Sequence, residues 1–222
     1  MKNLAIDTSS SICSVAVLEN DILIDEINLN DGRTHSENLM PLMEELLKRN
    51  SLDIKNIEMI SCCTGPGSFT GIRIGVATIK PISEVLNIKI ASVTSLEILA
   101  KNVENAETIV SLIDARNNQV YCGIFDKEYN KKEDYIADDI NNIIEILKKY
   151  KNIVCVGNGA ILHKELLTDI LKKVDFCSQN DQSAQNCGKI GYKKMIENDL
   201  YTSDTIVPIY LRKSQAERLK KK

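Results

Sequence analysis

Residues 64 to 80, Thr-Gly-Pro-Gly-Ser-Phe-Thr-Gly-Ile-Arg-Ile-Gly-Val-Ala-Thr-Ile-Lys, run a glycine-rich turn straight into an apolar helix that itself contains Gly71 and Gly75. At 100° per residue the charged side chains of this stretch, Arg73 and Lys80, fall side by side on one narrow strip. The other positions are apolar, small or hydroxylated, so the helix expects cover on more than one side. One side is its own sheet, and the Gly71, Gly75 and Thr78 face is expected to admit a second helix closely. Each glycine costs about 1 kcal/mol against alanine in a helix interior, so packing or function must compensate. Pro81 follows at once, and its ring clashes with the carbonyl four residues back, that of Ala77. The helix is therefore expected to end or kink near Lys80.

Upstream of this stretch, Leu4 to Ile6, Cys13 to Leu18 and Ile22 to Leu29 are β-rich runs separated by polar turns, which predicts three antiparallel strands. From His35 to Lys48 the residues Leu39, Met40, Leu42, Met43, Leu46 and Leu47 share an arc of about 160°, opposite Glu37, Glu44 and Lys48, as an amphipathic helix requires. A short strand around Ile57 to Cys63, the glycine-led helix, a strand from Ile88 to Val93 and a helix opened by Thr94-x-x-Glu97 follow.

From Thr108 the pattern restarts. Ile113-Asp114-Ala115 answers Ile6-Asp7-Thr8, and Gly157-Asn158-Gly159-Ala160 answers Gly65-Pro66-Gly67, each between an apolar strand and a helix. A βββαβα unit of about 100 residues is too large for a solenoid repeat. It describes an α/β protein of two similar lobes facing each other across a cleft. The lobes are expected to span residues 1–104, joined by 205–222, and residues 105–204. Gln185 to Glu197 reads as helical and Thr205 to Leu211 as extended.

The 222 residues are 43% hydrophobic, enough for a substantial core, and the net charge of −3 argues against a free-standing nucleic-acid binder. Seven cysteines, Cys13, Cys62, Cys63, Cys122, Cys155, Cys177 and Cys187, form no Cys-x-x-Cys pair, which suits a reducing compartment. Met1 to Asp7 has no signal-peptide apolar core and no apolar run reaches membrane-spanning length, so a cytoplasmic protein without membrane contact is expected. His35 and His163 are the two imidazoles, which excludes a histidine-rich metal site and makes any serine or cysteine triad depend on one of them. No nucleophile-elbow sequence accompanies them. The last eleven residues set Arg212, Lys213, Arg218 and Lys220 to Lys222 against Glu217, a basic tail that reads either as solvated or as a contact for RNA phosphates.

Asp7-Thr8-Ser9-Ser10 between two strands reads as a phosphate-binding turn with a metal-holding aspartate, or as a hydroxyl-rich hairpin. Gly65-Pro66-Gly67-Ser68 reads as an anion cradle at a helix N-terminus, or as a tight turn capped by Ser68 or Thr70. It is not a Walker sequence, because no Gly-Lys-Ser/Thr follows. The candidate phosphate or nucleotide loop is thus Asp7, Thr8, Ser9, Gly65, Gly67 and Ser68.

Leu4-Ala5-Ile6-Asp7-Thr8-Ser9, Cys13-Ser14-Val15-Ala16, the block from Gly65 to Gly75, Asp114-Ala115-Arg116, Gly157-Asn158-Gly159-Ala160 and Tyr210-Leu211-Arg212 together resemble the TsaB (YeaZ) family, over nearly the whole chain. The resemblance implies the two-lobed actin-like, hexokinase-like and Hsp70-like fold, small and without large insertions. It implies a non-catalytic scaffold and activator in the formation of threonylcarbamoyladenosine beside the tRNA anticodon. Its partners would be a catalytic TsaD-like subunit and a TsaE-like ATPase, with tRNA met through the complex and a homodimer formed when the chain is alone.

The catalytic relative carries a His-x-x-x-His metal pair where this chain has Ser95-Leu96-Glu97-Ile98-Leu99. No metal or cofactor of its own is therefore expected, ATP and metal belonging to the partner subunits. In the family the two first-lobe helices pair with their equivalents in TsaD, which points to Leu39, Met40, Leu42, Met43, Leu46, Leu47, Gly71, Ile72, Gly75 and Val76 as the partner interface. From pattern alone these faces serve equally as buried core. Pro81 departs from the glycine common in the family. The competing class is an enzyme, a nucleotide-dependent small-molecule kinase or ATPase working through the Asp7 and Gly65 turns.

Overall fold

The β-rich opening forms three strands, β1 (Lys2–Asp7), β2 (Cys13–Glu19) and β3 (Ile22–Leu29), paired antiparallel in chain order. Thr34 then caps helix α1 (His35–Arg49), its N–H donating to the Glu37 carboxylate at 3.1 Å. Strand β4 (Met59–Gly65), helix α2 (Phe69–Leu86) and strand β5 (Lys89–Thr94) follow, and β4 pairs parallel with both β1 and β5. The sheet order is β3-β2-β1-β4-β5. All of β4 is buried, as expected of a strand covered on both faces, whereas the edge strand β3 alternates toward solvent.

After the short helix α3 (Ser95–Ala100), the unit repeats as β6 (Thr108–Asp114), β7 (Gln119–Asp126), β8 (Ile136–Asp139), helix α4 (Ile140–Leu147), β9 (Ile153–Val156), helices α5 (Asn158–Leu162) and α6 (Lys164–Leu171), and β10 (Val174–Phe176). Its order, β10-β9-β6-β7-β8, is that of the first sheet read from the other edge. The duplication reaches the backbone torsions: Gly65 and Gly157, each between a parallel strand and a helix, have φ of +103° and +104°. A side chain is strained in that region, so glycine recurs.

This computed structural model describes residues 1–212, which divide into two units. The first is Met1–Ser95 with Gln182–Ile209; the second is Leu96–Asp181 with residues 210–212. The boundaries differ from the expected 1–104 and 105–204. Leu96, Leu99, Ala100 and Val103 pack with Ile109, Ile113 and Phe125, which draws them into the second unit. Helix α7 (Ala184–Ile196) returns to cover the first sheet, facing β1, β2, β4 and β5. It lies so close that a Cβ on Gly191 would meet the Ser61 Oγ at 1.9 Å and one on Gly188 would meet Leu18 Cδ1 at 2.2 Å.

Of the end or kink expected near Lys80, the end is not found: helix α2 runs to Leu86, where Asn87 closes it in the left-handed region at φ 52°. Pro81 lies on the exposed side, while Ile79 and Ser83 on the buried side hold the next turn, and the Ser83 hydroxyl donates to the Ile88 carbonyl at 2.6 Å. Thr205 to Leu211 forms no strand. A turn at Thr202 inserts Ile206 into the first core, and one bond, Ile209 N–H to the Thr64 carbonyl at 2.8 Å, ties it there. Of the basic tail, Arg212 donates to the Ala115 carbonyl at 2.7 Å, and the rest lies outside the described residues.

Candidate functional site

Helices α1 and α2 lie side by side on one face of the first sheet, with α7 on the opposite face. The amphipathic pattern turns Leu39, Leu42, Met43, Leu46, Leu47, Ile72 and Val76 into the first core, each at most 7% exposed. Gly71 and Gly75 are buried against the β1–β2 turn of their own unit. A Cβ on Gly71 would stand 2.0 Å from the Thr8 carbonyl oxygen, and one on Gly75 would stand 2.6 Å from the Thr8 hydroxyl. The glycines therefore answer a turn, not an incoming helix. Of the ten residues expected at a partner interface, Met40 alone is exposed, at 54%.

Apart from Met40, the outward side is made by residues outside that set. Met40 and Pro41 on α1 and Ala77, Pro81 and Val85 on α2 are all exposed, Val85 at 83%. The α2 members follow one another at four-residue spacing, so they share one side. That spacing was visible in the sequence, but the eye is drawn to the glycines beside it. Along the middle and second half of α1, against residues 52–54 and Ile82 of α2, lies an apolar groove of about 740 Å³ lined by Met40, Pro41, Met43, Leu47, Leu52, Ile54 and Ile82, with Glu44, Lys48 and Asp53 also on its wall.

The candidate phosphate turn is brought together but closed. Ser68 caps α2, its hydroxyl accepting the Gly71 N–H at 3.1 Å. The Ser68 N–H donates to the Ser9 carbonyl at 2.8 Å, and the Thr8 hydroxyl donates to the Gly71 carbonyl at 2.7 Å. A carbonyl of the chain itself thus occupies the helix N-terminus where an anion would sit. Gly67 shows how tight the fit is, because a Cβ there would lie 2.3 Å from the same Ser9 oxygen. Gly65 is equally enclosed, by Ile72 Cδ1 and the Ile209 carbonyl.

Asp7 is 1% exposed. Its Oδ1 accepts the Ser9 N–H at 2.7 Å, and its Oδ2 is buried with no hydrogen bond. Burial pushes its carboxyl above the ordinary carboxylate range, against the weaker pull of the Ser9 N–H. Ser95 donates to the Pro66 carbonyl, and Leu99 packs with Leu96, Ile109, Ile113 and Phe125. His35 Nε2 lies 2.8 Å from the Ser10 carbonyl oxygen, pinning α1 to the turn. Among the described residues no group of three metal-binding side chains converges.

A family model described as TsaD, tRNA N6-adenosine threonylcarbamoyltransferase, matches residues 24–219. A Bacillus subtilis protein named tRNA threonylcarbamoyladenosine biosynthesis protein TsaB is 32% identical, across 98% of this chain and 96% of that protein. A solved structure of YeaZ from Pseudomonas aeruginosa superposes with a TM-score of 0.81 at 23% identity, covering 95% of this chain and 99% of that one. A ROK hexokinase from Thermus thermophilus shares the fold with a TM-score of 0.55 at 9% identity, over 89% and 100% of the two chains. The fold is therefore that of the actin-like proteins, in small form.

Proposed function

Because this chain belongs to the TsaB family, and so to the biosynthesis of threonylcarbamoyladenosine in tRNA, we propose that it is a non-catalytic scaffold that binds and activates a TsaD-type catalytic subunit. The observation that carries this reading is the set of exposed residues Met40 and Pro41 on α1 and Ala77, Pro81 and Val85 on α2, together with the apolar groove that Met40 and Pro41 also line. The chain itself matches the TsaD family model, so a TsaD-type partner offers a related pair of helices. Related faces pack about a pseudo-twofold axis, and when the partner is missing a second copy takes its place. A specific interface hides about 800 Å² per partner, which two helix faces and a groove supply.

In this reading the contact orders the catalytic subunit's site, ATP and metal act on the TsaD-type and TsaE-type subunits, and tRNA is met through the assembly in the cytoplasm. No described helix is long and apolar enough to cross a membrane. The kinase alternative draws no support from a phosphate turn filled by its own Ser9 carbonyl. The test is reconstitution of tRNA modification from the TsaD-type and TsaE-type subunits with and without this chain, wild type or Met40→Asp. Modification is expected to need the wild-type chain and to fail with Met40→Asp. Full modification without the chain, or unimpaired with the variant, refutes the reading.

A further inference from the structure

We propose that the partner helix covering this face carries hydrogen-bond donors, because two in-helix prolines leave backbone carbonyls on the docking strip without their helical partners. The inference deepens the scaffold reading above and rests on it. Pro41 is the seventh residue of α1, and Pro81 lies well inside α2. A proline has no N–H, so the carbonyls four residues back, those of Glu37 and Ala77, lack the donor that the α-helical ladder otherwise supplies. All four residues are exposed, so both openings in the ladders lie on the outward side of their helices. In water such a carbonyl is hydrated. Covered by an apolar partner it would lose that water unmatched, and an orphaned buried carbonyl is strongly disfavoured.

The chemistry of the occupant follows. It is a helix face whose apolar residues meet Met40, Val85 and the proline rings, interrupted by Arg, Lys, Asn, Gln or hydroxyl side chains aimed at the Glu37 and Ala77 carbonyls. A wholly apolar helix would be rejected, which gives the strip selectivity beyond its greasiness.

The experiment measures binding of the full-length chain to the TsaD-type subunit by calorimetry, comparing wild type with Pro41→Leu, Pro81→Leu and Pro81→Ala. Leucine keeps apolar bulk and restores the N–H; alanine restores the N–H without the bulk. Each variant is expected to bind about fivefold more weakly, about 1 kcal/mol, with Pro81→Leu no better than Pro81→Ala. Hydrogen exchange should show the new amide at position 81 protected in the isolated variant, the sign that it now occupies the Ala77 carbonyl. Leucine variants that bind as tightly as wild type, or an unprotected new amide, overturn the inference while leaving the scaffold reading intact. Failure of the wild-type chain to bind at all overturns both.

Discussion

Gly71→Ala separates a glycine that serves the chain's own packing from one that admits a partner. The added Cβ would stand 2.0 Å from the Thr8 carbonyl oxygen and 3.0 Å from His35 Cδ2. Thr8 O is backbone, so α2 and the β1–β2 turn must separate by about 1 Å to restore van der Waals contact. That movement stretches the Thr8 hydroxyl to Gly71 bond at 2.7 Å and the Ser68 N–H to Ser9 bond at 2.8 Å. Each is worth about 1 kcal/mol net, and overpacking adds about 1 to 3 kcal/mol. Alanine returns about 1 kcal/mol through helix propensity. The net loss is about 2 to 4 kcal/mol, which for a chain of this size lowers Tm by about 5 to 15 °C. Calorimetric melting of the chain alone, at several concentrations, measures it. An unchanged or higher Tm, with only association lost, would mean that Gly71 faces a partner and that the inward placement is wrong.

Val85→Asp should leave the Tm of the dilute chain within about 2 °C, since an exposed substitution of this kind moves stability by about 0.5 kcal/mol at most, yet abolish association; a large loss of stability contradicts the exposed placement. Glu26→Ala removes the carboxylate that accepts the Gln185 N–H at 2.7 Å at the start of α7, and urea denaturation should show a loss of about 1 to 2 kcal/mol. Asp7→Asn tests the buried carboxyl. Because burial raises its pKa in the folded chain, the stability of the neutral form is lost as pH rises above about 4, the unfolded value. The variant should thus gain on wild type as pH rises above about 4, and parallel curves would contradict the shift. Cys177 is the one cysteine not buried, and burial pushes Cys13 up to about 11 and Cys155 to about 12. A thiol reagent at pH 8 should therefore modify one cysteine quickly and the rest only on unfolding.

The fold was legible because its signals are local and repeated. Strand periodicity, the paired Asp7 and Asp114 turns and the paired Gly65 and Gly157 junctions each specify the same unit twice. What stayed hidden depends on contacts distant in sequence. Nothing near Ala184 to Ile196 says that this helix returns to the first sheet; Gly188 and Gly191, three apart on a helix, were the one hint of close packing. Nine of the ten residues read as a partner interface are buried within their own unit. Apolar periodicity marks the face with most to bury, and here that face belongs to the core, while Met40, Pro41, Ala77, Pro81 and Val85 are left on the outward side. Pro81 misled for the same reason: on an exposed side the lost helical bond is taken up by solvent, so the helix continues to Leu86. The phosphate turn was correctly brought together, but hydroxyls and glycines do not reveal that the Ser9 carbonyl fills their centre.

Association between this chain and a TsaD-type subunit, followed by calorimetry beside tRNA modification in the same mixture, bears most directly on the docking face. Outward Met40→Asp and Val85→Asp should each abolish binding and modification together while the dilute chain melts as before. Tight binding and full modification retained by both variants would place the partner on some other surface.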